Sequence, residues 1–233
     1  MNIEIKPQKI LIKLLYVILF LLCANLTGIV TKFYFNHDTV YGLVPLFDFN
    51  TEANIPTFYS SLALLSCSIL LAFIYFSLKR HGSSYISWGG LAIIFLFLSI
   101  DEIATIHERF HDRLHPLLNT SGLLYYAWVI PYGIALLLVL GIYLKFLINL
   151  PKNYLYLFII SGVTFISGAI GIESICGWYS ESYGTSTLHY AFFYTCEEFL
   201  EMLGIVFFIY TLLLYITAEL NYSTISITKK NIM

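Results

Sequence analysis

Charged residues are scarce in this chain. Asp, Glu, Lys and Arg make up only 11% of its 233 residues, whereas 59% are hydrophobic. Soluble domains carry about 25% charged residues, and a soluble fold of this length cannot bury so much apolar surface. A bilayer accepts such a surface, so the composition excludes an ordinary soluble protein and predicts an integral membrane protein.

Other common features are also missing. The four cysteines include no C-x-x-C pair of the kind found in metal and redox motifs. No stretch rich in Pro, Gly or Ser divides the chain, so we expect residues 1–233 to form a single integral membrane domain. No basic patch is present either, which argues against nucleic acid as a partner.

Six long apolar runs alternate with polar segments. Each run exceeds the roughly 17 residues that a helix needs to cross a bilayer. The chain is therefore predicted to be all-α, a polytopic bundle of six transmembrane helices. Pro116 disfavours helix at the preceding residue, so the third helix is expected to end at Leu114, and Pro131 is expected to kink the fourth. The predicted spans are residues 10–30, 57–78, 86–110, 123–148, 154–175 and 188–218.

Lysine and arginine are distributed unevenly around these runs. If the N-terminus is cytoplasmic, only Lys32, Arg109 and Arg113 fall on the outer side. Because cytoplasmic segments are enriched in Lys and Arg, both the N- and C-termini are predicted to be cytoplasmic. The inner residues are Lys6, Lys9, Lys13, Lys79, Arg80, Lys145, Lys152, Lys229 and Lys230.

Acidic residues within the apolar runs all fall at one depth in this topology. They lie late in the third span, at the end of the fifth and early in the sixth, which places them all at the outer end. A charged group in hydrocarbon costs several kcal/mol, so such residues indicate a functional site by default. These residues are Asp101, Glu102, Glu173, Glu197, Glu198 and Glu201.

Helical periodicity sorts the polar residues of the third helix into two faces. One face carries Asp101, His107, Glu108, His111 and Asp112, with no basic partner other than imidazole. The other face carries Glu102, Arg109 and Arg113, which are expected to neutralise each other.

Two further expectations concern the neighbouring segments. Gly162, Ala169 and Glu173 form a stripe on the fifth helix, and small residues in such a stripe let helices approach closely. Asp48 and Glu52, in the first outer loop, are expected to be solvated.

Residues 107–111 spell H-E-x-x-H. In zinc peptidases with this motif, the two histidines bind Zn²⁺ and the glutamate activates a water molecule. Glu197, Glu198 or Glu201 would then supply a third ligand. In a competing interpretation, the histidines are solvated at a helix end and the acids tie helices together through hydrogen bonds. We favour the carboxylates of the spans over the histidine pair as the centre of the site, because only the former lie in hydrocarbon.

These residues predict a divalent-metal site at the outer side of the bundle, serving a membrane-embedded enzyme of hydrolase type. Carboxylate and imidazole donors favour Zn, Mn or Fe, and the substrate would be a lipid or small molecule. Glu108 and Asp101 are the candidate catalytic residues. A proton- or cation-coupled transporter and a non-catalytic membrane subunit are the alternatives. The candidate metal ligands are Asp101, His107, Glu108, His111, Glu173, Glu197, Glu198 and Glu201.

Three segments resemble bacterial multi-pass membrane proteins that share paired acidic motifs and have no assigned activity. The segments are SIDEIATIHERF (99–110), GAIGIE (168–173) and EEFLEMLGIVFFIYTLL (197–213). The resemblance implies a location in the bacterial inner membrane and implies no particular chemistry.

The predicted orientation can be measured with reporter fusions. A reporter that works only in the cytoplasm should be active after Lys230 and inactive in the loop near Asn119, because the lysine-rich segments are expected to stay inside. The reverse pattern would move the acidic residues to the cytoplasmic side and remove the argument for a substrate from the outer leaflet.

Overall fold

The computed structural model describes residues 2–80, 85–220, 222 and 224–226. The chain is almost entirely helical there, apart from two three-residue strands, β1 (Asn2–Glu4) and β2 (Thr224–Ser226), which pair antiparallel. A 3-10 helix covers Gly122–Leu124 and a π-helix covers Ser167–Ile172. The α-helices are α1 (Pro7–Phe35), α2 (Leu43–Phe47), α3 (Ile55–Arg80), α4 (Ile86–Ala104), α5 (Ile106–Leu118), α6 (Val129–Ile148), α7 (Lys152–Ile166), α8 (Glu173–Tyr183) and α9 (Leu188–Ala218).

Six of the described helices are long and apolar enough to cross a membrane. They are α1, α3, α4, α6, α9 and the continuous helix Lys152–Tyr183, in which α7, the π-helix and α8 follow one another. The prediction of an all-α membrane bundle with six spanning helices is therefore confirmed. The orientation of the termini stays a prediction, and Lys229 and Lys230, on which it partly depends, lie outside the described residues.

Local sequence explains where several of these helices begin and end. α1 starts at Pro7, whose missing amide donor costs nothing in a first turn. α9 starts after Thr187, whose hydroxyl oxygen accepts the amide of Tyr190 at 3.2 Å and so satisfies a first-turn donor. The sixth span thereby covers the predicted residues 188–218, whereas the fifth continues to Tyr183 instead of ending at residue 175.

The segment predicted as one helix over residues 86–110 is divided in two. α4 ends at Ala104, Thr105 adopts a left-handed φ of 51°, and α5 begins at Ile106. This corrects the expectation that Asp101 shares one helical face with His107, Glu108 and His111, because the helical repeat is interrupted between them.

Both prolines behave differently from expectation. α5 continues through Pro116 to Leu118 instead of ending at Leu114. The carbonyl that loses its donor belongs to Asp112, which is exposed and can bind water. Pro131 lies in the first turn of α6, where its amide would lack a helical partner in any case, so the proline requires no kink.

α9 is the central helix of the bundle. It packs against α1, α3, α7, α8 and the π-helix, and its Met202, Val206 and Leu212 side chains are fully buried. Two glycines permit the closest approaches. A Cβ atom at Gly204 would lie 2.6 Å from the backbone nitrogen of Phe165, and one at Gly168 would lie 2.7 Å from the carbonyl oxygen of Glu197.

Because α7 and α9 approach closely at Gly204, adding a single methyl group there should lower the stability of the protein. Gly204→Ala should destabilise the protein, because overpacking of this kind costs about 1–3 kcal/mol. The midpoint of thermal unfolding in detergent measures the effect. Gly162→Ala on α7 is the matched control, since a Cβ atom there meets nothing within 4 Å. Equal midpoints for the two variants would contradict the close packing of α7 on α9.

Candidate functional site

Seven carboxyl groups gather in one region of the bundle, and we call them the acid cluster. Each lies close enough to at least two others to interact with them electrostatically. They come from the connection between α2 and α3, from α4, from α8 and from α9. The members are Glu52, Asp101, Glu102, Glu173, Glu197, Glu198 and Glu201.

Basic side chains are almost absent from the acid cluster. Within the described part of the chain, no Lys or Arg nitrogen lies within 4.0 Å of these carboxyl oxygens, and His107 is the one basic side chain that does. Carboxylates in a membrane interior require a compensating charge or a proton. The arrangement is therefore suited to binding protons or a metal cation.

Asp101 holds the break between α4 and α5 together. Its Oδ1 atom accepts the backbone amide of His107 at 2.9 Å, which satisfies a first-turn donor of α5. The same oxygen lies 3.3 Å from Nδ1 of His107, and Oδ2 accepts the hydroxyl of Tyr132 at 2.8 Å. Both oxygens of Asp101 are thus engaged, so in this structure the residue orients His107.

His107 is fixed in a polar and aromatic environment. Its ring packs edge-on against Trp128, with 5.1 Å between the ring centroids. Burial acts to lower the pKa of His107, but the hydrogen bond and charge of Asp101 outweigh burial and raise the pKa above its ordinary value. The imidazole consequently has one nitrogen directed to Asp101 and the other available to a second partner.

His107 and two neighbouring glutamates bring three potential ligand atoms close together. Atoms of Glu52, His107 and Glu108 lie within 4.8 Å of one another. In a tetrahedral Zn²⁺ site with metal–ligand distances of roughly 2.0–2.2 Å, ligand atoms are about 3.4 Å apart, so small movements of these side chains would bring them into one coordination shell. We call these residues the histidine group.

Glu52 corrects the expectation of a solvated loop residue. Its side chain is half-buried, and Oε2 accepts the hydroxyl of Thr57 at 3.1 Å. Burial raises the pKa of Glu52, although neighbouring His107 acts to lower it. The loop is held by Asn25 of α1, whose Oδ1 accepts the amide of Phe49 at 3.0 Å. No local pattern in the sequence signals this long-range contact.

A second set of three potential ligands lies between α8 and α9, and we call it the cysteine group. Atoms of Glu173, Cys176 and Glu197 lie within 4.8 Å of one another. The thiol of Cys176 donates to Oε2 of Glu197 at 3.3 Å. Sequence reasoning did not select Cys176, although its spacing from Glu173 places both on one side of a helix.

Trp128 connects the two groups. Its ring packs against His107, and its Nε1 atom donates to Oε1 of Glu173 at 3.0 Å. Glu173 itself follows the π-helix Ser167–Ile172 directly, and π-helical turns often occur at functional sites. In that turn, Gly168 allows the backbone to approach Glu197 and Glu201 closely.

The second histidine of H-E-x-x-H has partners of its own. Nδ1 of His111 accepts the amide of Ala127 at 3.2 Å, and its ring lies 5.1 Å from that of His115, measured between centroids. Burial and the neighbouring His115 lower the pKa of His111. Among the described residues, His111 belongs to neither group of three, and its pairing with His107 stays a prediction.

The remaining acids of the cluster have no partner in the described part of the protein. Glu102, Glu198 and Glu201 are half-buried and form no hydrogen bond with another described residue. The structure thus brings together most of the predicted ligands, with His111 outside and Asp101 already engaged.

The fold and site define an integral membrane protein with a carboxylate, histidine and cysteine cluster that has the composition of a metal site. The chain belongs to the family described as a domain of unknown function, DUF8692, whose model matches residues 11–215. The matched segment contains the acid cluster and both groups of three. No curated protein and no solved structure matches the chain.

The Tyr132–Asp101 hydrogen bond predicts a measurable stability difference. Tyr132→Phe should lower the unfolding free energy by about 1–3 kcal/mol, because a hydrogen bond to a charged acceptor contributes about that much. Tyr143→Phe on the same helix is the control, since its hydroxyl forms no hydrogen bond among the described residues. The midpoint of thermal unfolding in detergent is the measurement, and an unchanged midpoint for Tyr132→Phe would contradict a stabilising role.

Proposed function

We propose that the protein binds a divalent metal ion at the histidine group and uses it to hydrolyse a lipid or small molecule. One observation carries this proposal. Two carboxylates and one imidazole lie within 4.8 Å of one another, beside an acid cluster that lacks Lys and Arg partners in the described chain.

The donor set supports a metal of intermediate hardness. Oxygen ligands from Glu52 and Glu108, combined with one imidazole nitrogen, suit Zn, Mn or Fe. Three protein ligands leave a coordination position for water or substrate, as catalytic zinc sites do. Metal-binding histidines usually give their other ring N–H to a carboxylate, and Asp101 is placed to accept it from Nδ1 of His107.

The acid cluster would supply the proton chemistry of such a site. Glu102, Glu198 and Glu201 form no hydrogen bond within the described part of the chain. A carboxylate next to a reacting water molecule acts as a general base. When bound, the metal would lower the pKa of its water ligand and so generate a nucleophile near neutral pH.

The site would face the outer leaflet of the bacterial inner membrane. The location follows from the resemblance of the acidic motifs, and the orientation follows from the distribution of Lys and Arg. In that orientation the substrate reaches the histidine group from the outer leaflet or the space beyond it.

A cation-coupled transporter is the second candidate. The observation that favours it is the break at Thr105, because transporters place interrupted helices at their ion sites. Those sites usually lie near the middle of the bilayer, and Glu201 lies near the middle of α9 (Leu188–Ala218), so depth does not separate the two candidates. We rank hydrolysis first because the two carboxylates and the imidazole of the histidine group have the composition of a catalytic metal site.

Metal content of the purified protein tests the proposal. After dialysis against Zn²⁺, Mn²⁺ or Fe²⁺, elemental analysis should find about one ion per chain in the wild type. Glu52→Gln and His107→Ala should each lose the ion, because an amide or a methyl group replaces a ligand. Asp101→Asn should weaken binding by about 10–100-fold, as loss of a supporting carboxylate does.

Two control variants locate the ion. Asp38→Asn removes an exposed loop acid and His111→Ala removes the unused histidine, so both should retain the metal. Loss of the ion in Glu173→Gln or Glu197→Gln alone would instead assign it to the cysteine group. Full metal content in both Glu52→Gln and His107→Ala would refute the histidine group as the site.

A separate assay distinguishes the two candidate functions. Metal-dependent cleavage of fluorogenic phospholipid esters that is lost in Glu52→Gln supports hydrolysis. Cation uptake into proteoliposomes under a proton gradient, without cleavage, supports transport.

A further inference from the structure

α5 has an unusual place for an amphipathic helix. It lies between two spanning helices, because α4 ends at Ala104 and α6 begins at Val129. Those two ends are on the same side of the bilayer, so α5 stays at that surface. None of its 13 residues is buried in the protein, and at about 1.5 Å per residue the helix is roughly 20 Å long.

One side of α5 is apolar and uncovered. At about 100° per residue, Ile106, Phe110, Leu114 and Leu117 fall within a sector of about 80°. The exposed fractions of Phe110 and Leu117 are 43% and 75%. Such a surface is costly in water but is covered by acyl chains when an amphipathic helix lies in the membrane interface.

Two arginines border this apolar sector. Arg109 and Arg113 lie one turn apart, on the edge opposite to His107 and His111. Both are exposed, and neither forms an ion pair within the described part of the chain. This corrects the expectation that Glu102 neutralises them, because the break at Thr105 separates the two sides of that face.

We propose that α5 lies in the membrane interface and that Arg109 and Arg113 bind the phosphate groups of phospholipids there. The guanidinium fork matches phosphate oxygens in a two-point contact. The long arginine side chains can reach the headgroups while the apolar sector enters the acyl region. The edge of α5 opposite to the arginines, with His107 and His111, contacts the rest of the protein, so the arginines and the metal site lie on different sides of the apolar sector.

Lipid retention tests the role of the arginines. Native mass spectrometry of the detergent-solubilised full chain should show preferential retention of dioleoyl phosphatidylglycerol over a digalactosyl diacylglycerol, which has no phosphate. The double variant Arg109→Gln/Arg113→Gln should lose this preference at least about tenfold. Lys32→Gln, the other cation on the predicted outer side, should keep it.

Fluorescence quenching tests the position of the apolar sector. Leu117→Trp in vesicles of brominated phosphatidylglycerol should show more quenching than the wild type, whose three tryptophans provide the background. A preference retained by the double arginine variant, or quenching of the Leu117→Trp variant that does not exceed this background, overturns the proposal. The latter result would indicate that a protein covers α5 instead of lipid. Metal content does not enter either measurement, so these outcomes are independent of the proposed function.

Discussion

Seven carboxyl groups lie close together within a membrane bundle, and His107 is the one basic side chain in the described residues that contacts them. Uncompensated charges of this kind are costly in a low-dielectric environment. A bound cation or proton resolves the cost, which is why the cluster has the character of a site.

The irregular features of the backbone surround this cluster. Thr105 adopts a left-handed conformation that is unfavourable for a β-branched residue, and Asp101 stabilises the break by accepting the amide of His107. The π-helix Ser167–Ile172 leads directly into Glu173. Local departures of this kind persist when their surroundings enforce them, and they concentrate at functional sites.

One residue predicted to be a metal ligand is already engaged by other groups, and one residue predicted to be solvated lies among the potential ligands. Sequence reasoning makes Asp101 a leading candidate ligand, yet its two oxygens are engaged by His107 and Tyr132. The same reasoning leaves Glu52 solvated, yet it lies beside His107 and Glu108. The difference arises because a carboxylate can bind a metal only if its oxygens point toward the other ligands. The depth of a residue in the membrane does not reveal where its oxygens point or which distant residues lie beside it.

The all-α class and the presence of six spanning helices could be predicted from the amino-acid sequence alone. A helix in a bilayer satisfies its own backbone hydrogen bonds, so the length of each apolar run is sufficient information. The common depth of Asp101, Glu173 and Glu201 also followed from the alternation of the spans. The break after α4 at Thr105, and the positions of Glu52 and Cys176 beside the other potential ligands, became apparent from the tertiary structure alone. Those outcomes depend on contacts between segments far apart in the chain, such as Asn25 with Phe49 and Trp128 with Glu173, which local periodicity does not encode.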